Sequence, residues 1–225
     1  MQNNMYVVFS RTPYTIGKII RFFSHSEYNH VSVAFDRSLY EMYSFARYYK
    51  NAPFYGGFVR ESAVRYFNGP KCAKVQVCKI GLTDAQLNNA RAYLRQLETD
   101  KEAYRYNLIS ALIYPFKKRV NIDKCYTCVE FAVELLSRIG YDLGVEKGAF
   151  CSMKKLMGRL ADKTIYVGRI NKLLNNYLYQ GDSFTENKGF RERTKLTLIS
   201  NGKLIGKLFG KLFGKKTIKK QKVGR

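Results

Sequence analysis

Residues 128–139, CVEFAVELLSRI, constrain the fold more than any other stretch. Cys128, Phe131, Ala132, Leu135, Leu136 and Ile139 recur at helical spacing and share one face. Gly140 follows, a residue suited to ending a helix. A helix with so broad an apolar face must be covered by a second layer.

Strand-like segments can supply that layer. MYVVFS, at 5–10, is a short run of β-branched and aromatic residues. In HVSVAFD, His30, Ser32 and Ala34 alternate with Val31, Val33 and Phe35, as on a strand with two different faces. Asp36, Arg37 and Ser38 read as a turn, and LYEMYSF as the partner strand of a hairpin. AKVQVCKI alternates again, and TIYVG reads as a late strand or connector. Between these lie further helical patterns. Ile16, Ile19, Ile20 and Phe23 predict one. Leu87, Ala90, Leu94 and Leu97 predict another, with Thr83 and Gln86 spaced as a capping box. YNLISALIYPF is short and apolar, ended by Pro115, and a further helix covers 152–161. Strands and helices mix without strict βαβ alternation, which predicts an α+β fold with helices packed on a mostly antiparallel sheet.

The 225 residues suit one domain plus a tail, with the domain at 1–185 and the tail at 186–225. The net charge of +23 favours an anionic partner or surface. No run of about 18 apolar residues predicts a spanning helix. The start, MQNNMYVVFSRTPY, lacks the pattern of a cleaved secretion signal. Five cysteines, an odd count, favour free thiols in a reducing compartment, so the expected location is cytoplasmic, with a peripheral membrane association through the tail.

From 199 onward the chain carries nine Lys or Arg and no acid. GKLI, GKLF and GKLF repeat every four residues, which on a helix drifts only about 40° per unit. The glycines each cost about 1 kcal/mol of helix propensity. The tail is therefore expected to be disordered in water and to become an amphipathic helix on an anionic membrane surface, with nucleic acid as the other partner.

CYTCVEFAVELL, from Cys125, admits four readings. A zinc site needs four ligands, and neither Cys72 and Cys78 nor His25 and His30 complete a fitting second pair. A redox dithiol needs a βαβ unit around it. Cys128 can simply be a small buried hydrophobe. It can also be a nucleophile, because the first turn of a helix stabilises a thiolate. A histidine on the sheet would complete that pair, and His30 opens a strand. Glu41, the only acid on the returning strand, would orient the ring. Its other reading is a surface carboxylate, and that of His30 a half-buried hydrogen-bonded ring. The aromatic residues of 40–58 wall a pocket or fill the core.

The order His, acid, then Cys heading a helix resembles the circularly permuted papain-like superfamily. This is the NlpC-type group with the YiiX-like proteins and, more distantly, the lecithin:retinol acyltransferase group. The matching pieces are YNHVSVAFD with EMYSFAR, GGFVRES, YRYNLISAL, CYTCVEFAVELL and TIYVG, in the expected order over residues 5–170. Val129 stands where the group usually has Ser, and Thr127 where it has an aromatic residue. The resemblance implies Cys128 as nucleophile, His30 as base and then acid, and Glu41 as orienter. The backbone N–H of Cys128 is a candidate oxyanion donor, with Tyr28 or Asn29 as a second. The implied activity is a thiol-dependent hydrolase or acyltransferase acting on an amide or ester of a peptide or lipid through a thioester, with no cofactor and no metal. The competing reading is a catalytically silent basic module held on a membrane or nucleic acid by its tail.

Overall fold

The computed structural model describes the chain except residues 1–2, 15–16, 19–20, 23–24, 147, 175–180 and 223–225, and without the side chains of 212–222. The helix predicted from Ile16, Ile19, Ile20 and Phe23 lies largely outside the described residues.

Ten strands form in chain order: β1 Asn3–Arg11, β2 His30–Ala34, β3 Met42–Arg47, β4 Gly56–Glu61, β5 Phe67–Asn68, β6 Lys71–Cys72, β7 Lys74–Leu82, β8 Arg105–Tyr106, β9 Cys125–Tyr126 and β10 Thr164–Arg169. Six of them make one sheet, ordered β10-β7-β1-β2-β3-β4, with every neighbouring pair antiparallel. The α-helices whose bounds lie among the described residues are α1 Asp84–Thr99, α2 Leu108–Leu112, α3 Cys128–Arg138, α4 Met153–Arg159 and α5 Phe190–Lys222. The fold is α+β, as the mixed patterning predicts.

The alternation of each strand sends its two sets of side chains into two cores. On one face Met5, Val7, Phe9, Val31, Val33, Tyr43, Phe45 and Phe58 pack against α1 and α3. The expected stripe of α3 is buried there: Phe131, Ala132, Leu135 and Leu136 are fully covered. On the other face Tyr6, Val8, Ala34, Met42, Val75 and Val77 pack under Tyr66, Ile170 and Leu174. Of the aromatic residues of 40–58, Tyr43, Phe45 and Phe58 are core, and Phe45 meets Phe58, Tyr104, Tyr126 and Phe131 within 6.3 Å.

Local signals set the helix ends. Thr83 and Gln86 form both halves of the expected capping box on α1. Thr127 and Glu130 form a second one on α3, which the sequence reading had not drawn out. α3 stops at a left-handed Gly140, φ +73°.

The C-terminal segment departs from the expected disorder. α5 is one helix whose Leu204 is buried against Ile122 and Cys125, with Leu208 partly covered beside it. Lys207 Nζ donates to the carbonyl oxygens of Ala103 and Asp123, at 3.0 and 3.1 Å, and Lys211 to that of Asn121. The four-residue repeat explains this: Leu204 and Leu208 share a face, and the domain itself provides the apolar surface that rewards helix formation. Ile205 and Phe209, one position further round, stay exposed, as do Leu198 and Ile199.

Candidate active site

Cys128 is the first residue of α3. Thr127 Oγ accepts from Glu130 N at 3.2 Å, and Glu130 Oε2 accepts from Thr127 N at 2.7 Å, so the entry to the helix is fixed from both sides. Arg119 pairs with Glu130 at 3.0 Å behind it. The backbone N–H groups of this first turn have no intrahelical acceptor. Thr127 Oγ takes that of Glu130, and those of Cys128 and Val129 lie at the positive end of the helix dipole.

The His30 ring sits at the start of β2 and lines the same cavity as Cys128, whose side chain is near enough to raise the ring's pKa. Its Nε2 donates to Glu61 Oε1 at 2.6 Å, which leaves Nδ1 as the nitrogen for the sulfur. The fold brings Cys128 and His30 to one cavity. The expected acid is elsewhere: Glu41 lies before β3, where Arg91 and the Tyr43 hydroxyl hold it.

Strand parity explains the exchange. Ala34 faces Met42 across β2 and β3, and Met42 faces Glu61 across β3 and β4. Directly paired residues share a face, so Ala34, Met42 and Glu61 project together, with Ser32 and His30 two and four residues back from Ala34. Glu41 is one residue off this set and projects to the opposite side, toward α1. Glu61 is part of GGFVRES, a segment the sequence reading matched to the family without using its acid.

Glu61 is completely buried and fully occupied. Ser44 Oγ donates to Oε1, while Ser32 Oγ, at 2.7 Å, and the Tyr66 hydroxyl donate to Oε2. The two serines are small enough to let the carboxylate lie across β3 toward β2. Burial alone would raise the Glu61 pKa, but the charge and hydrogen bond of His30, with help from Arg65 and Ser44, hold it well below the usual carboxylate range. Burial alone would lower that of His30, but Glu61 and the nearby Cys128 side chain raise it to about 10. The site thus holds an imidazolium between a carboxylate and a sulfur. Burial pushes the thiols of Cys78, Cys125 and Cys151 up, that of Cys125 to about 11, so these three are poor nucleophiles.

Tyr28 and Asn29 line the same cavity as Cys128, and both side chains also have partners of their own. Asn29 bonds Thr12 through both ends of its amide, Nδ2 to Oγ1 at 2.8 Å and Oδ1 to the backbone N at 3.0 Å. Tyr28 packs on Phe9. Tyr106 lines the same cavity as Cys128, and burial, with Cys128 and Glu130 nearby, keeps its hydroxyl protonated.

Cys128 and His30 open into a cavity of about 600 Å³, within the range of about 300–1,000 Å³ usual for small-molecule sites. Phe45, Phe54, Leu108, Leu112, Phe116 and Met153 give it an apolar wall. Leu112 and Phe116 are 66% and 74% exposed, so part of that wall reaches the surface. Among the described residues no three His, Cys, Asp or Glu side chains converge as a metal-binding group. Compared with known proteins, the chain matches no protein-family model, and no curated protein or solved structure matches it significantly.

Proposed function

We propose that the protein is a thiol-dependent hydrolase or acyltransferase of the circularly permuted papain-like kind, acting on an amide or ester. The observation that carries this reading is the chain Cys128–His30–Glu61 at the edge of an open cavity. Cys128 Sγ, as the thiolate beside imidazolium, attacks the carbonyl carbon and forms a C–S bond. The backbone N–H of Cys128 and the Tyr106 hydroxyl supply hydrogen bonds to the oxyanion. His30 Nδ1 gives its proton to the departing amine or alcohol, leaving a thioester on Cys128. His30 then takes a proton from water or another acceptor, which attacks the thioester and frees the thiol. Glu61 keeps the ring in one orientation throughout.

An anionic membrane surface is the favoured partner, because α5 exposes Leu198, Ile199, Ile205 and Phe209 among lysines. Among the described residues no helix is long and apolar enough to cross a bilayer. Such a protein would lie on the membrane.

Iodoacetamide labelling at pH 6 tests the chemistry. Fast modification of Cys128, lost in His30→Ala and kept in Cys125→Ser, supports it. Slow and equal modification of all five cysteines leaves a basic binding module as the remaining reading.

A further inference from the structure

The cavity that holds Cys128 also holds a guanidinium without an anion. Arg47, the last residue of β3, lines it together with Tyr14, Arg65 and Phe184. The guanidinium sits 4.9 Å from the Tyr14 ring centre and 5.0 Å from that of Phe184, flanked by two aromatic rings. Its Nη1 donates to a neutral acceptor, Lys50 O, at 3.0 Å.

All acidic side chains lie among the described residues, and none of them pairs with Arg47. The acid on the same segment as Phe184 is Asp182, and Arg65 takes both of its oxygens, Nε to Oδ2 and Nη2 to Oδ1, each at 2.6 Å. Asp182 also accepts from Ser62 N and Oγ and from Phe184 N. Glu61 is filled by His30, Ser32, Ser44 and Tyr66. More positive charge stands close by: Lys50 over the Tyr14 ring at 5.4 Å, and Arg21 bonded to Asn29, whose amide lines the cavity. Burial, reinforced by the charge of Arg65, brings the Arg47 pKa down to about 10, still cationic at neutral pH. A partly buried cation facing an open cavity is stabilised by any anion that enters it.

The rest of the lining is apolar. We propose that Arg47 is an anion-binding residue of this cavity, whose ligand is an acyl compound with an apolar chain and a carboxylate or phosphate group. The apolar chain meets Leu108, Leu112 and Phe116, and the anion meets Arg47 between its two rings. The inference rests on the acyl-transfer reading for its substrate class, but binding tests it without turnover.

The experiment uses the full chain with Cys128→Ala, titrated with cis-parinaric acid and with its methyl ester, read by probe fluorescence. The acid is expected to bind at least about tenfold more tightly than the ester. Arg47→Gln should remove that difference while leaving ester affinity unchanged, which shows the cavity still folded, and Arg47→Lys should keep part of it. Laurate or dodecyl phosphate should displace the probe at about tenfold lower concentration than dodecanol. Equal affinity for acid and ester, displacement by dodecanol as effective as by either anion, or no binding of either probe overturns the proposal. Failure of Cys128 labelling would remove the acyl chemistry while leaving this binding difference in place, so the two failures are distinguishable.

Discussion

Met42 and Glu61 face each other across β3 and β4, and this pairing decides which acid reaches His30. A residue beside Met42 in sequence, as Glu41 is, faces the opposite way. A residue beside Met42 in space, as Glu61 is, faces the histidine.

Replacing Glu61 should therefore cost turnover where replacing Glu41 does not. Glu61→Gln is expected to lower kcat by about 10²-fold or more, because the ring loses the carboxylate that orients and charges it. Glu41→Gln should leave kcat within a factor of about two. Steady-state kinetics on an activated ester substrate checks both.

The same pair makes stability depend on pH on two sides. The folded pKa of His30 is raised from 6.5 to about 10, so its contribution is fully present below 6.5 and is lost as pH rises toward 10. The Glu61 value is depressed from 4.5, so its contribution is present above 4.5 and is lost as pH falls below that. Urea midpoints should fall between pH 6.5 and pH 10 in the native sequence. In Glu61→Gln, where the cause of the raised His30 value is gone, that alkaline fall should largely disappear.

Asp182 ties the segment bearing Phe184 to the site through the buried Arg65. Removing one partner leaves the other charge buried and unpaired, so Asp182→Ala should cost about 3–5 kcal/mol in chemical denaturation.

The Thr127 cap holds the turn that presents Cys128. Thr127→Ala should cost about 1 kcal/mol, read from the same denaturation curves. Thr127→Ser keeps an acceptor for Glu130 N and should be close to neutral.

Membrane attachment is best tested without cutting α5, because Leu204 is part of the packed interior. Serine at 198, 205 and 209 should reduce co-sedimentation with anionic vesicles while the folded signal is retained. Unchanged co-sedimentation would remove the membrane as partner.

Much of this was readable from the chain. The α3 face, the α1 capping box and the alternation in 30–35 all follow from local spacing. Glu61 was not, because its role needs the register of three strands, and its own segment shows only an acid at the end of an apolar run. Glu41 looked suitable because a hairpin brings nearby residues together, but nearness in a hairpin does not fix the side of the sheet. The docking of α5 was hidden for a related reason: the repeat shows an apolar stripe, while the groove formed by Ile122 and Cys125 appears only after distant segments meet.

Leu204 has one more effect, on oxidative damage. It closes over Cys125, which is 1% exposed and packs with Ile122, whereas Cys128 belongs to the other cluster and borders the cavity. Two sulfurs three positions apart would ordinarily suggest that one rescues the other after attack by peroxide. Sequestered in this way, Cys125 presents no sulfur to the cavity, so an oxidant that enters it meets Cys128 and not its neighbour.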